Sequence, residues 1–561
     1  MRLFLSLMFL MAAGAVAQQM EFTPGSSKYL DAPRFPSGSW IRQHFDKPVP
    51  HVELHPPTRL SDFVVDSKLE LSLKSYLELV LANNTDIQIQ KLTIETQRNA
   101  ITRAFAPFDP TAFASFRSTR AESPTNDALA GAATLNQLTQ PFSVNYNQTL
   151  ETGTQYTVGY TATKSSTNSA FANFNPAITS GLNFNFIQPL LRGRGTSVNR
   201  LPILVAKTRF RSAQYNLSDQ VMRLLQQAEL AYWAVIEARE SLKVQEQALG
   251  LFDTLLKRSQ RELELGAISP LEIYQPQQQY ASQEVFVTQA RYRLAQADDA
   301  LRRQMGADLD VQYRNMAISL TETVLPPSDD RPFDKEQIVE VAMQKRPDLR
   351  AALTAIDVDE LQIKQAKNSL LPDLSLTGLY TSSGRGGTFF QRTNVFGGDG
   401  NSSVVTSVIP GGLGDALSQT FNFTYPTYGL GLTLRLPIRD RRAQADFADA
   451  TVSRRLDALR ARTTEQTIRL DVLNAVNQVE NSRASVKLAQ VRLDFSQKRV
   501  EAEQKRYDLG VTTIFFVIQA QNDLVSAQAD LVQQSVQYRR NLLNLQRVTG
   551  QLLEDRGVVI D

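Results

Sequence analysis

The side chains with the widest chemical repertoire sit at one end of this chain. Its three histidines, His44, His51 and His55, fall within the first tenth of 561 residues, and cysteine is absent. Imidazole is a common metal ligand, but three spread along a Pro-rich segment read as solvated groups, and no metal site is assigned to them. Everything after Pro56 lacks both residue types, which excludes histidine triads, cysteine nucleophiles and nearly all zinc or copper chemistry from the folded body. Carboxylates remain. A pair of them flanking a cleft could cleave a glycosidic bond, but the acidic residues here are scattered along helical faces. No catalytic residue and no cofactor is therefore assigned. With 60 Lys+Arg against 57 Asp+Glu the chain offers no large basic field, so nucleic acid is not an expected partner.

The elements that carry these residues begin with a leader. Arg2, an apolar core from Leu3 to Met11 and the small-residue run Ala12 to Ala17 predict a secretory signal over 1–17, cleaved after Ala17. Without cysteine there is no lipidation site behind it. Residues 18–66, with Pro24, Pro33, Pro36, Pro48, Pro50, Pro56 and Pro57, read as an extended arm. No later apolar run reaches the roughly 18 residues of a membrane helix, so any crossing must use β-strands.

The body reads as two copies of one unit. Leu265-Gly266-Ala267 through Met305-Gly306 aligns without a gap to Leu509-Gly510-Val511 through Thr549-Gly550, at a constant offset of 244. The units span 67–306 and 333–550, joined by a linker at 307–332 and followed by a tail at 551–561. In the first, a long helix over 199–264 carries Ala228, Val235, Leu242, Leu249, Leu256 and Leu263 at steps of seven; its counterpart over 440–508 carries Val472, Val479, Val486, Leu493, Val500 and Tyr507. After tips at 265–270 and 509–513, helices over 271–305 and 514–549 continue the period. A heptad seam on both sides of a short glycine turn predicts an antiparallel hairpin zipped as a coiled coil. The shorter second arms are expected to be completed by helices at 84–106 and 347–370 stacking end to end on them.

Between the helices the period changes to two, within 111–189 and 374–436. Leu430, Leu432, Leu434 and Leu436 alternate with Gly431, Thr433 and Arg435; Phe184 and Phe186 alternate with Asn183 and Asn185; Phe421, Phe423 and Tyr425 alternate with Asn422 and Thr424. Such strands have one lipid face and one wet face, and Leu430, Leu432, Leu434 and Leu436 are the expected lipid-facing set. At least four strands per chain are expected, too few to close a barrel of about eight or more, so the barrel reading requires an oligomer. A further hairpin at 142–164 has no counterpart in the second unit.

This order of signal, helix, strands, long helix, glycine turn and helix, twice over, resembles the TolC-type outer-membrane efflux protein family. The resemblance covers about 67–550. It implies an α+β membrane protein: a homotrimer in outer-membrane lipid whose twelve strands form one barrel, continued by twelve helices as a periplasmic tunnel. The implied function is the exit duct of a tripartite efflux or type I secretion system. A periplasmic adaptor and an inner-membrane transporter would dock at Leu265, Gly266 and Ala267 and at Leu509, Gly510 and Val511. The resemblance also implies a gate at the tips, with Glu272 and Tyr507 in the places of a hydrogen-bonded pair. The basic partner expected two residues after the second glycine is replaced by Thr512, and Phe516 and Gln519, with Phe515 alongside, stand where some members carry an acidic ring. Phe515 and Phe516 read equally as seam packing or as a lumen constriction. The competing class is an exported coiled-coil scaffold or adhesin, which leaves the duplicated strand insert without a purpose.

Overall fold

A computed structural model describes residues 58–125, 132–170, 172–324, 333–393 and 404–558. The predicted leader, most of the 18–66 arm and residues 325–332 of the linker lie outside the described residues. In chain order, β1 (Val64–Val65), β2 (Lys68–Leu71), α1 (Leu73–Asn83) and α2 (Thr85–Ala104) lead into β3 (Thr111–Phe116), β4 (Thr119–Pro124), β5 (Thr134–Thr149), β6 (Gln155–Thr167) and β7 (Phe174–Pro189). Then come α3 (Leu201–Glu264), α4 (Tyr274–Gln304) and β8 (Ala317–Leu320). The second half runs α5 (Lys335–Lys345), α6 (Pro347–Ser369), β9 (Asp373–Thr393), β10 (Val404–Ile409), α7 (Leu413–Phe421), β11 (Tyr425–Arg435), α8 (Arg441–Asp508) and α9 (Ile514–Val548).

Four of the helices start where the sequence supplies an oxygen cap. Ser72 accepts from the Ser75 amide, Asn84 from Asp86 and Ile87, Asp334 from Glu336 and Gln337, and Asp440 from Ala443, each relieving amides that have no partner in the first turn. Helices α3 and α8 have 64 and 68 residues, which at 1.5 Å per residue is about 100 Å each. Asn84 also joins two helices: its Nδ2 donates to the Gln304 carbonyl at 3.1 Å, so α2 begins where α4 ends. In the second half α9 meets the start of α6 the same way. There Gly550 has φ +74°, and a Cβ on it would stand 3.1 Å from the Lys345 carbonyl carbon. A side chain at 550 would push the two helix ends apart. At both levels the helices lie four abreast, α2–α3–α6–α8 nearer the sheet and α4–α3–α9–α8 nearer the tips.

The heptad seam is deepest midway along the long helices and shifts toward the tips. Ala228 and Val235 are buried, as are Val472 and Val479, but Leu242, Leu249, Leu256 and Leu263 are only half-buried. Burial passes instead to Val244, Ala248, Phe252, Leu255 and Ser259. The reason is a second neighbour: over this stretch α3 packs on α9 as well as α4, and Phe252 and Leu255 join Ile514 and Ile518 in one cluster.

The arm, linker and tail each contribute to the folded body. Leu60, at the end of the arm, is buried in the largest core cluster with Leu69 and Leu71 of β2. Residues Ala317–Leu320 of the linker form β8, parallel to β2. In the tail, Arg556 pairs with the buried Glu229 of α3 at 2.8 Å, so the chain end returns to the core because a buried carboxylate needs a cation.

The large sheet is wider than the sequence suggests. Its order is β10-β9-β7-β6-β5-β3, with β11 beside β9 and β4 beside β5. Since β10 and β11 share one side of β9, and β3 and β4 one side of β5, the described strands fill six lateral positions, where at least four are expected. The 142–164 hairpin is part of β5 and β6, in the middle of the sheet. Residues directly opposite each other share a face. Leu430, Leu432 and Leu434 oppose Gly378, Leu376 and Leu374, and Phe184 opposes Tyr380, so these apolar residues form one face. Thr433, Ser375, Thr381 and Asn183 lie on the other. Leu430, Leu432 and Leu434 are 80%, 65% and 60% exposed. Leu436 is exposed one residue beyond the strand end.

The expected strand through Phe421, Phe423 and Tyr425 is instead the end of α7, a turn with Phe423 at φ +54°, and the start of β11. Helix α7 lies on the apolar face across β7 and β9. The Ser180 hydroxyl donates to the Ala416 carbonyl at 2.8 Å, and Ser382 to the Thr420 carbonyl at 2.6 Å. Gly384 and Gly386 give the room: a Cβ on either would fall 2.0 Å from a helix carbonyl oxygen.

If the Leu430–Leu434 face meets lipid, as the strand alternation implies, Leu432→Arg or Leu434→Arg should cost about 2 to 4 kcal/mol near mid-bilayer and reduce the folded, heat-modifiable species in outer-membrane fractions. Thr433→Arg should be tolerated better, and equal loss at all three would show that the two faces are assigned the wrong way round.

Candidate functional site: the two hairpin tips

Both long helices end with the same backbone device. Gly266 has φ +72° and Gly510 φ +70°, the left-handed turn that glycine adopts without penalty. The Gly266 amide donates to the Leu263 carbonyl and the Ala267 amide to Glu262; at the second tip Gly510 donates to Tyr507 and Val511 to Arg506. This pattern closes the last turn and reverses the chain. It leaves apolar side chains in solvent: Leu265 is 77% exposed, Leu509 78% and Val511 70%. Gly266, Ala267 and Gly510 are exposed with them.

Between the tips lies a polar cluster. The Tyr507 hydroxyl donates to Glu262 Oε2 at 2.6 Å, so its partner is Glu262 in the last turn of α3 rather than Glu272. Glu272 is exposed on the far side of the turn and acts on Tyr507 only through its charge. Arg258 organises the group. Its Nε donates to Glu262 Oε1 at 2.9 Å, a terminal nitrogen donates to Asp508 Oδ1 at 2.8 Å, and the guanidinium lies 4.9 Å from the centre of the Tyr507 ring. Partial burial, then the hydrogen bond to Glu262, push the Tyr507 hydroxyl up to about 12. The Arg258 bond holds the Asp508 carboxyl below its usual value. Arg258 and Glu262 are legible as an i,i+4 pair; that they meet Tyr507 is not, because the contact depends on the relative register of two helices 245 residues apart in sequence.

Phe515 and Phe516 are not packed in the seam of their own chain. Ile514, Val517 and Ile518 fill it, at 6%, 0% and 4% exposure, while Phe515 and Phe516 are 48% and 47% exposed. Their rings meet edge-on, 5.4 Å between centroids. Gln519, one turn on from Phe515, is exposed. No group of acidic or imidazole side chains able to hold a metal occurs among the described residues.

The Tyr507–Glu262 bond links the two hairpins of one chain and is worth on the order of 1 to 2 kcal/mol in this half-buried setting. If the tips form a channel gate, as the family resemblance implies, Tyr507→Phe or Glu262→Ala should loosen the tip and raise single-channel conductance in planar bilayers, and Phe516→Ala should raise it separately. A raised tyrosine value stabilises the folded tip fully below the ordinary value near 10 and loses that contribution as pH climbs toward 12. Conductance of the wild type should therefore rise between about pH 10 and 12, and that rise should be absent in Tyr507→Phe.

Residues 338–551 match the family model described as outer membrane efflux protein. The chain is 23% identical over 360 residues to the outer membrane efflux protein BepC of Brucella suis, a match covering 63% of this chain and 68% of BepC. It is 22% identical to the outer membrane protein TolC of Vibrio cholerae, over 62% of this chain and 72% of that protein. Among solved structures it resembles CusC, with a TM-score of 0.60 and 14% identity over 87% of this chain and 93% of CusC. The outer membrane channel CmeC of Campylobacter jejuni superimposes with a TM-score of 0.57 and 16% identity, over 93% of this chain and 95% of CmeC. The fold is that of outer-membrane channels with a β-barrel continued by an α-helical tunnel, and the second half of the chain carries an outer membrane efflux protein domain.

Proposed function

We propose that the protein is the passive outer-membrane exit duct of an efflux or type I secretion system, working as a homotrimer. The observation that carries this reading is the joining, in one chain, of a sheet with an apolar face and, among the described residues, two unpaired edges to helices about 100 Å long that end in glycine-stopped tips. The sheet suits lipid and the helices suit a periplasmic tunnel. The likeness to BepC and TolC, outer membrane proteins by name, agrees.

In this reading Leu265, Ala267, Leu509 and Val511 form the surface offered to a periplasmic adaptor, and an inner-membrane transporter supplies the energy. Exposed leucines on otherwise polar helices are a surface that waits for a partner. The lock between Tyr507 and Glu262 is small enough for adaptor binding to reverse, since coupling energies of about 1 to 3 kcal/mol are ordinary. Phe515 and Phe516, brought together around a three-fold axis, would narrow the pore by apolar dewetting rather than by charge. Divalent cations should accordingly block the channel only weakly.

The purified protein in detergent should have the mass of three chains, and a stable folded monomer would remove the trimeric duct. In cells, Leu265→Asp with Leu509→Asp should abolish export while leaving the trimer and its outer-membrane level unchanged. Unimpaired export in that double variant would show that the adaptor docks elsewhere.

A further inference from the structure

We infer that the trimer closes an eighteen-stranded barrel, wider by half than the twelve strands implied by family resemblance, with the β5–β6 hairpin as part of the wall. The inference rests on the trimeric duct proposed above. Three copies of six lateral positions give eighteen.

Four observations carry it. First, the hairpin is paired along its whole length. Strand β5 runs against β6 from Gln137↔Thr167 to Thr149↔Gln155, and β6 against β7 from Gln155↔Ile187 to Ser165↔Ala177. It therefore separates β3 and β4 from β7, and neither of those strands pairs with β7. Second, the hairpin shares the two-faced character of its neighbours. Val144, Tyr160 and Leu182 fall on the apolar face, and Ser143, Thr161 and Gly181 on the polar one. A hairpin projecting into water would have no use for such a face.

Third, the two free edges are complementary. Among the described residues, β3 and β4 run away from the helices and have neighbours on one side only, while β10 and β11 run back toward them and pair only with β9. Unpaired backbone cannot lie in hydrocarbon, and β3 and β4 of one copy set against β10 and β11 of the next make an antiparallel joint.

Fourth, the widths match. Six strands about 4.8 Å apart and tilted about 40° occupy about 38 Å of circumference per chain. Four helices abreast at about 8 to 10 Å occupy about 32 to 40 Å. Four strands would occupy only about 25 Å, and the wall would have to narrow sharply where helices give way to strands. With six, barrel and tunnel join at nearly equal radius, about 18 Å to the strand backbone. The membrane section is then not the narrowest part of the duct, and the size of the cargo is set at the tips.

Single-particle imaging of the protein in lipid nanodiscs counts strands and subunits together. Three subunits with eighteen strands is the expected result. Three subunits with twelve strands would overturn this inference and leave the trimeric duct standing, whereas two subunits would sink the trimeric reading itself. The absence of cysteine allows a second measurement in native membranes. Of the adjacent pairs Val158→Cys/Phe184→Cys and Gly159→Cys/Asn183→Cys, one must be the close, non-hydrogen-bonded pair of the ladder. That pair should form an intrachain disulfide in the assembled trimer, and Ser115→Cys/Gly181→Cys, level in register and three strand spacings or about 14 Å apart, should not. A β3–β7 cross-link without the β6–β7 one would mean that the hairpin lies outside the wall.

Discussion

The backbone of a strand must find all its hydrogen bonds within protein once water is gone, and this one requirement governs the molecule. Among the described residues the large sheet ends on two unpaired edges, so in the proposed membrane setting a single copy is complete as a fold but not as a barrel. The helices face no such demand, since their backbone bonds are internal, and they are free to run about 100 Å through water on a seam that is deep only where other elements press on it. In the proposed trimer, subunit association would follow from the strand segment, and the tunnel would inherit its symmetry from there.

The tips show the opposite economy. Two identical glycine turns, at Gly266 and Gly510, set the same backbone at the ends of two hairpins whose side chains differ. The first brings Arg258 and Glu262; the second brings Tyr507, Asp508 and the Phe515–Phe516 pair. Polar bonds between half-exposed groups hold these ends, while Ile514 and Ile518 pack against Phe252 and Leu255 just above. A firm apolar anchor next to a weak polar contact lets the last two turns move without unzipping the rest.

Much of this was legible because period-seven and period-two patterns are long. The helical hairpins, their glycine stops and the Leu430–Leu434 face follow from spacing alone. What failed did so locally. Strands β5 and β6 are rich in Thr, Asn, Gln and Ser, so their alternation is diluted and their membership of the wall shows only in the pairing. Phe421, Phe423 and Tyr425 mimic a strand, but Asp415 accepts from the Gly412 amide at 2.7 Å and closes a helix start upstream, and tertiary bonds to the sheet hold the helix. Glu262 was passed over for Glu272 because distance from a glycine along the chain does not say which carboxylate turns toward a neighbouring helix. Leu60, β8 and Arg556 belong to a core built from segments far apart in sequence, which no local pattern reveals.

Helix α7 has a mechanical meaning. Strand β7 is the last strand of the first repeat and β9 the first strand of the second, so their joint is where the strands of the two repeats meet. The helix straddles that joint, bonded to Ser180 on one side and Ser382 on the other, with Gly384 beneath it. In a closed ring of three chains, the three joints within chains carry this buttress, while those between chains rest on the ladder between β3–β4 and β10–β11. The wall therefore has alternating stiff and compliant lines, and lateral stress at the outer mouth falls first on the boundaries between subunits.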